Sequence, residues 1–451
     1  MVSGGDTAYI AQSILAAERQ WMTQRHEPIL DQLTQSPSPA PADVTPAGPR
    51  QAATIFILIT IALDMLALGA IIPVLPALVK SFLGGDTATA SRVYGLFGTV
   101  WALMQFLFMP VLGSLSDRFG RRPIVLLSNL GLGLDYILMA LAPSLWLLFV
   151  GRVISGITAA SFSVASAYIA DITAPEKRAA AFGMIGAAFG IGFICGPAIG
   201  GILGELGPRV PFWAAAGLSL LNFAYGWFVL PESLAPDKRS PFKLRNANPI
   251  GALRFLRSVP GLLPLSFVNF LSFLAHEVLP STTVLYIGFR YGLGTGAIGM
   301  FLAAVGLASA LMQSLGVRPL VKRFGEARVL IGGLIAGAMG FAVYGLAPSA
   351  GWFALGIPLV ALWGTAGPAV QALMTAKVGP TQQGQLQGAL SSLRGVSGLI
   401  GPGLFTLTFA QFIGDWRFFG LPGAPFLAAA LLLALGALWA RLTLTQARAA
   451  S

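Results

Sequence analysis

The sequence predicts an all-α integral membrane protein with twelve transmembrane helices in two six-helix pseudo-repeats. Three observations predict it: the length and number of the apolar runs, the one-sided placement of the basic residues, and two glycine-rich motifs that recur in the second half. Of 451 residues, 55% are apolar and only 10% charged, against roughly a quarter charged in soluble domains. The stretch 54–79 holds a single acid, Asp64, and no base before Lys80. That exceeds the roughly 20 residues a helix needs to cross the hydrocarbon core.

Twelve such runs fit the chain, near 52–79, 93–114, 123–142, 145–170, 178–203, 211–230, 260–287, 295–316, 328–347, 352–376, 384–412 and 421–442. The longest break, PESLAPDKRSPFKLRNANP, falls between the sixth and seventh. The expected domains are therefore an N-terminal extension (1–50), a first bundle (51–231), a central loop (232–258), a second bundle (259–443) and a short tail (444–451). Within the extension, residues 1 to about 35 carry Ile10, Ile14, Leu15, Trp21, Ile29 and Leu33 among polar neighbours, the pattern of an amphipathic helix. Residues 36–49, SPSPAPADVTPAGP, read as a stiff extended linker. No apolar stretch begins until about residue 51, so the N-terminus does not read as a cleaved leader.

Orientation follows from the bases. With even-numbered topology both termini share one side, and the loops and tails of that side hold 21 Lys and Arg against 5 on the other. The richer side is the cytoplasmic one, so both termini are cytoplasmic; the expected location is the plasma (bacterial inner) membrane, multi-pass. The net charge of +11 is thereby absorbed in short loops rather than in one continuous face, which argues against a nucleic-acid partner. One cysteine, Cys195, excludes an intramolecular disulfide, and two histidines, His26 and His276, leave no histidine-rich metal site; no cofactor is expected.

The halves repeat. GSLSDRFGRRP (113–123) after the second run answers GVRPLVKRFGEAR (316–328) after the eighth, and Gly196-Pro197 answers Gly401-Pro402. Duplicated bundles with a site between them are the architecture of a rocking transporter. The stretches LDMLALGAIIPVLPAL, ALMQFLFMPVLGSLSDRFGRRPIVLLS, LDYILMALAPSLWLLFVGRVISGITAAS, YIADI and FGIGFICGPAIGG, with PAVQALM and QQGQLQGALSSL, resemble the tetracycline/proton antiporters of the major facilitator superfamily. The resemblance covers nearly all of 54–440 and is closer in the first half. It implies the major facilitator fold and a secondary active, proton-coupled exporter of a small amphiphilic compound such as tetracycline or a related drug. Two other readings stay open: a facilitator or importer of a metabolite on the same fold, and a non-transporting receptor or scaffold. No Walker-type phosphate loop, metal cluster or nucleophile–base pair points to an enzyme.

Candidate residues fall in three groups. Gly113, Asp117, Arg118, Gly120, Arg121 and Arg122 form a loop motif in which the Asp117 carboxylate can meet Arg121 and a neighbouring helix N-terminus, locking the ends of the two halves as a cytoplasmic gate, or can simply set topology. Gly190, Gly192, Gly196, Pro197, Gly200 and Gly201 put small residues on one face of the fifth span; the resemblance makes this the antiporter signature, and spacing alone makes it a helix-packing face. The third group is intramembrane and polar: Asp64, Gln105, Asp135, Arg152, His276, Glu277, Gln313 and Gln371. Ionisable groups inside a bilayer are costly and mark ion or substrate paths. Asp64, Asp135 and Glu277 are the deep carboxylates able to carry a proton, and His276 can pass one to Glu277. The pair 276–277 alternatively sits near the outer end of its span, since Pro280 follows. Phe106, Tyr136, Phe273, Trp352 and Trp363 are available to line a cavity for an amphiphile. The chain departs from the tetracycline exporters in lacking the histidine of their eighth span and the acid of their ninth: AVGLASALMQS and LIAGAMGFAVYG have neither.

Overall fold

The computed structural model describes residues 49–159, 161–240 and 249–449. The amphipathic helix and the linker expected before residue 49 lie outside them. The described chain is helical, with twelve helices long and apolar enough to cross a membrane. These spans are Ala53–Phe82, Thr87–Phe119, Arg121–Leu141, Leu145–Ile172, Ala180–Leu206, Val210–Val229, Leu262–Tyr291, Thr295–Phe324, Glu326–Leu346, Ala350–Thr375, Gln383–Ile413 and Ala424–Thr445. Each expected run corresponds to one span. The central loop holds a further short helix, Pro249–Ser258, which packs on span eleven. The last helix continues to Ala449, so the expected tail is mostly helical.

The two loop motifs are corrected by the structure. Gly113–Phe119 is the last two turns of span two, and Val317–Phe324 likewise extends span eight. Each helix stops at one glycine in a conformation closed to other residues: Gly120 (φ 106, ψ 160) and Gly325 (φ 77, ψ 159). The repeat seen in the sequence is thus also a repeat of backbone geometry.

Spans one, four, seven and ten are interrupted. Span one breaks at 72–74, span four after Thr158, span seven at Glu277, and span ten twice, after Ala354 and after Trp363. In span seven the cause is local: Pro280 has no N–H to offer the carbonyl of His276. Interrupted spans in transporters border the substrate path.

Among the described residues the halves pack together at one end and as far as mid-span. At the base-poor end, span two packs on span eleven and span five on span eight. The Ser91 hydroxyl donates to the carbonyl of Thr406 (2.9 Å), and the Tyr94 hydroxyl donates to the carbonyl of Pro280 (3.2 Å). Gly95 faces Thr406, and Gly98 faces the Pro402 ring so closely that an added Cβ would lie 2.9 Å from it. Arg92 and Asp415 add an exposed ion pair at 3.8 Å. At the base-rich end, Gly183, Gly186 and Gly190 of span five and Gly384 and Gly388 of span eleven have open space beside them. The structure is therefore closed on the base-poor side and open on the base-rich side.

The bundle edges are tied by caps. Arg209, at the start of span six, donates to the carbonyls of Ala140 (2.9 Å) and Ala142 (2.7 Å), satisfying the end of span three. Arg209→Ala is expected to lower the stability of the purified protein by about 1.5–3 kcal/mol, the range for hydrogen bonds to a charged group, read as a drop in thermal midpoint in detergent. Asp86 caps span two by accepting from the backbone N–H groups of Ala88 and Thr89 (3.0 and 3.2 Å). Hydrogen bonding from Thr89 and then Ala88 holds its carboxyl below the usual carboxylate range. A depressed folded-state value stabilises above the unfolded pKa and is lost as pH falls through the folded one. The first turn of span two should accordingly fray below about pH 4, seen as faster amide exchange at residues 88–90 that Asp86→Asn shows already at neutral pH.

Candidate transport site

The first half gathers its polar residues around Tyr136, which is 1% exposed. Asp64, Asp135 and Arg152 all lie within electrostatic reach of that side chain. Span one delivers Asp64, which accepts a hydrogen bond from the Asn222 amide of span six (3.3 Å); the Thr60 hydroxyl donates to the Asn222 side-chain oxygen (3.1 Å). Span three delivers Asp135, 1% exposed, with both carboxylate oxygens outside hydrogen-bond geometry. Ser155 and Arg152 of span four are close enough to act on it. Arg152 is itself buried, its guanidinium 5.2 Å from the centre of the Trp101 ring. Burying a carboxylate without a hydrogen-bond partner is costly in one charge state and not in the other, so the surroundings of Asp135 govern its charge. Asp64, by contrast, is anchored.

The second half builds a different cluster. His276 and Glu277 stand at the break in span seven, at the middle of a 30-residue span, not at its outer end. His276 lies 5.9 Å from the Trp363 ring. Glu277 packs where a side chain on Gly401 would otherwise sit. Arg394 of span eleven acts electrostatically on both and lies over the Phe273 ring at 5.3 Å. Gln313 approaches Gly364 at the second break of span ten. Gln371 is exposed on a later turn of that span, and Gln105 is half-buried in span two. The structure does not bring these three amides to either acidic cluster by any direct hydrogen bond among the described residues. Of the aromatic candidates, Phe106, Phe273 and Trp363 border this region. Trp352 is 60% exposed at the base-poor end beside Leu346, Ala347 and Pro348, and is corrected from cavity wall to outer surface.

The loop motif lies wholly inside the first half. Arg121 pairs with Asp117 (2.6 Å) and with Asp171 at the end of span four (3.1 Å), and donates to the Ser116 hydroxyl. The helix N-terminus available to an anion here is taken by Glu232 and not by Asp117: Glu232 accepts from the backbone N–H groups of Arg121 (2.8 Å) and Arg122 (3.3 Å). Gly120 is required here twice over, because a Cβ would strike the Glu232 carboxylate. Arg118 is exposed beside Phe119, and Arg122 donates to the Trp227 carbonyl. Gly113 faces open space.

The glycines of span five divide between two faces rather than sharing one. Gly192, Gly196 and Gly200 press on span one at Ala62, Met65, Leu66, Gly69 and Ala70, within the same half. Pro197, Gly201 and Gly204 meet Thr295 and Gly299 of span eight, across the seam between halves. Gly190 meets nothing. Sequence reasoning missed Arg394, Tyr94, Trp101, Asn222 and Glu232 as site residues. Arg394 was visible as an intramembrane base; the others act through contacts between distant spans that no local pattern announces.

Two bundles of six spans, joined at one end and open at the other, with charged residues inside the spans of each, define a secondary transporter. The chain belongs to the Major Facilitator Superfamily, whose profile matches residues 57–402 and, in an overlapping second match, 265–450. It is similar to the class C tetracycline resistance protein of Escherichia coli, with 40% identity over 366 residues, 81% of this chain and 91% of that one. With the class D protein of Salmonella ordonez it shares 38% identity over 360 residues, 80% and 90% of the two chains. Among solved structures, a bacterial homologue of the human lysosomal transporter Spinster, inward-facing and occupied, superposes with a TM-score of 0.70 over 87% of this chain and 96% of that one, at 18% identity.

Proposed function

We propose that the protein exports a small amphiphilic compound from the cytoplasm in exchange for protons, by alternating access between its two halves. The observation that carries the reading is Asp135, a carboxyl buried within span three with both oxygens outside hydrogen-bond geometry and within reach of Arg152. Such a group changes charge at a cost the surroundings set, which is what coupling a proton to a conformational change requires. The base-rich side is cytoplasmic on the positive-inside rule, so the state seen here loads from the cytoplasm. Similarity to proteins named for tetracycline resistance supports a substrate of that chemical class, and outward transport is how a transporter would confer resistance.

The cycle has four parts. Substrate enters from the cytoplasmic side; the base-poor seam parts as the base-rich ends come together; substrate leaves and Asp135 takes a proton; the seam closes again and Asp135 releases that proton to the cytoplasm. The cluster of Asp117, Arg121, Asp171 and Glu232 keeps the base-rich end of the first half rigid while it moves.

The test uses inverted membrane vesicles with an acid lumen and a pH-reporting dye. Adding tetracycline or another amphiphilic drug should release protons from the lumen only when the protein is present. Drug uptake with no proton movement would favour the facilitator reading. Proton release that survives Asp135→Asn would place the coupling elsewhere.

A further inference from the structure

Arg152 and Arg394 are bases inside the spans, and they are placed in opposite ways. Arg152 is buried with acids near it. Arg394 is exposed, and among the described residues no carboxylate lies within ion-pair distance of it. Its direction follows from its helix. Gly395 faces Phe106 of span two, Gly398 faces Ala102 of span two, and Gly401 faces Glu277 of span seven. Residues 394, 398 and 401 share one stripe of span eleven. Arg394 therefore points to the space between the halves and not to lipid.

From this placement we infer that Arg394 is a substrate-selecting residue, which makes the site favour flat, conjugated rings that carry an acidic oxygen group. The inference rests on the transport reading but not on its direction or its proton coupling.

The chemistry is specific. The guanidinium carbon lies 5.3 Å over the Phe273 ring, which steadies the group, and its N–H edges meet no carboxylate among the described residues. A carboxylate or enolate can take two parallel hydrogen bonds from such an edge. The ring attached to that acid would then lie among Phe273, Phe106 and Trp363, and Phe106 already packs at Gly395, the next residue along. Glu277 is the carboxylate coupled electrostatically to Arg394, so it competes with the acid of the substrate for the same charge. A neutral ring of equal size would gain the aromatic contacts and lose the paired ones.

The experiment measures quenching of tryptophan fluorescence in the purified full chain by 1-naphthoate and nalidixate, each titrated beside its own methyl ester. At least one acid should bind about tenfold more tightly than its ester, the worth of one charge-assisted contact. Arg394→Gln should bring the acid-to-ester ratio to one, and Arg394→Lys should retain part of it, since charge survives without the planar fork. Glu277→Gln should widen the ratio, a change that a merely structural role for Arg394 does not produce. Arg417→Gln, on an exposed loop at the base-poor end, serves as the control for general charge and should change nothing. Equal affinity for acid and ester in the unaltered protein, no binding by either acid, or a preference that survives Arg394→Gln would each overturn the inference. Proton exchange is read separately in vesicles. Acid preference without proton exchange overturns the export reading alone, and proton exchange without acid preference overturns this one alone.

Discussion

Asp135→Asn is expected to abolish proton-driven transport while the protein remains folded. Asparagine has the shape of the carboxyl group but cannot change charge. The side chain it replaces is 1% exposed, with its oxygens outside hydrogen-bond geometry, so little native contact is lost, and a titratable group is removed from a dry site. Thermal stability should be equal or higher. Accumulation against a gradient should fall by about two orders of magnitude, the scale of removing a required proton-transfer group. Exchange of labelled for unlabelled substrate, with no pH gradient, should continue. Asp64→Asn should be milder, because Asn222 keeps an oxygen to donate to. The measurement is drug uptake into inverted vesicles with and without an imposed pH difference. Uphill uptake by the Asp135→Asn protein at the unaltered rate would transfer the role to His276 and Glu277.

Gly200→Val and Gly201→Val, adjacent in sequence, should fail in different ways. A Cβ at Gly200 would enter the backbone of Ala70, in the same half and present in every state of the cycle. Overpacking of this kind costs about 1–3 kcal/mol or more, so that variant should show low abundance and a lowered thermal midpoint. A Cβ at Gly201 would meet the Thr295 carbonyl and Gly299, which belong to the other half and move away when the seam parts. That protein should fold well and rest with its base-poor side open. Ser91, fully buried in the closed seam, then becomes the reporter. Ser91→Cys, in a background where Cys195 is serine, should react with a bulky maleimide at least about tenfold faster when Gly201 is valine, a shift of about 1.4 kcal/mol in the resting equilibrium. Equal reactivity would mean that this contact does not govern closure.

The twelve spans were legible because desolvating a backbone demands helices of a fixed length in apolar sequence, and length and hydropathy are both local. What hydropathy misjudged were the ends. Asp117, Arg118, Lys322 and Arg323 made two helical segments look like loops, although a helix leaving the membrane can carry charge for two more turns. The candidate acids were legible by their cost. Their partners were not: Asn222 reaches Asp64 across 158 residues and Thr60 across 162, and Glu232 reaches Arg121 across 111. The division of the span-five glycines between two faces was also hidden, since spacing gives an angle around a helix but not the identity of the neighbour at that angle.

The seam between spans five and eight is built largely from backbone meeting backbone, and this bears on how the protein can change under selection. Any nucleotide substitution that replaces a glycine adds atoms, and at Gly201 or Gly299 added atoms block closure, so the seam has almost no neutral neighbours in sequence space. Arg394 and Gln371 of the twice-broken span ten are exposed and tolerate exchange of size and polarity. A population exposed to a new toxic compound should therefore acquire its first adaptive substitutions around Arg394 and span ten, and keep the glycines of the seam unchanged.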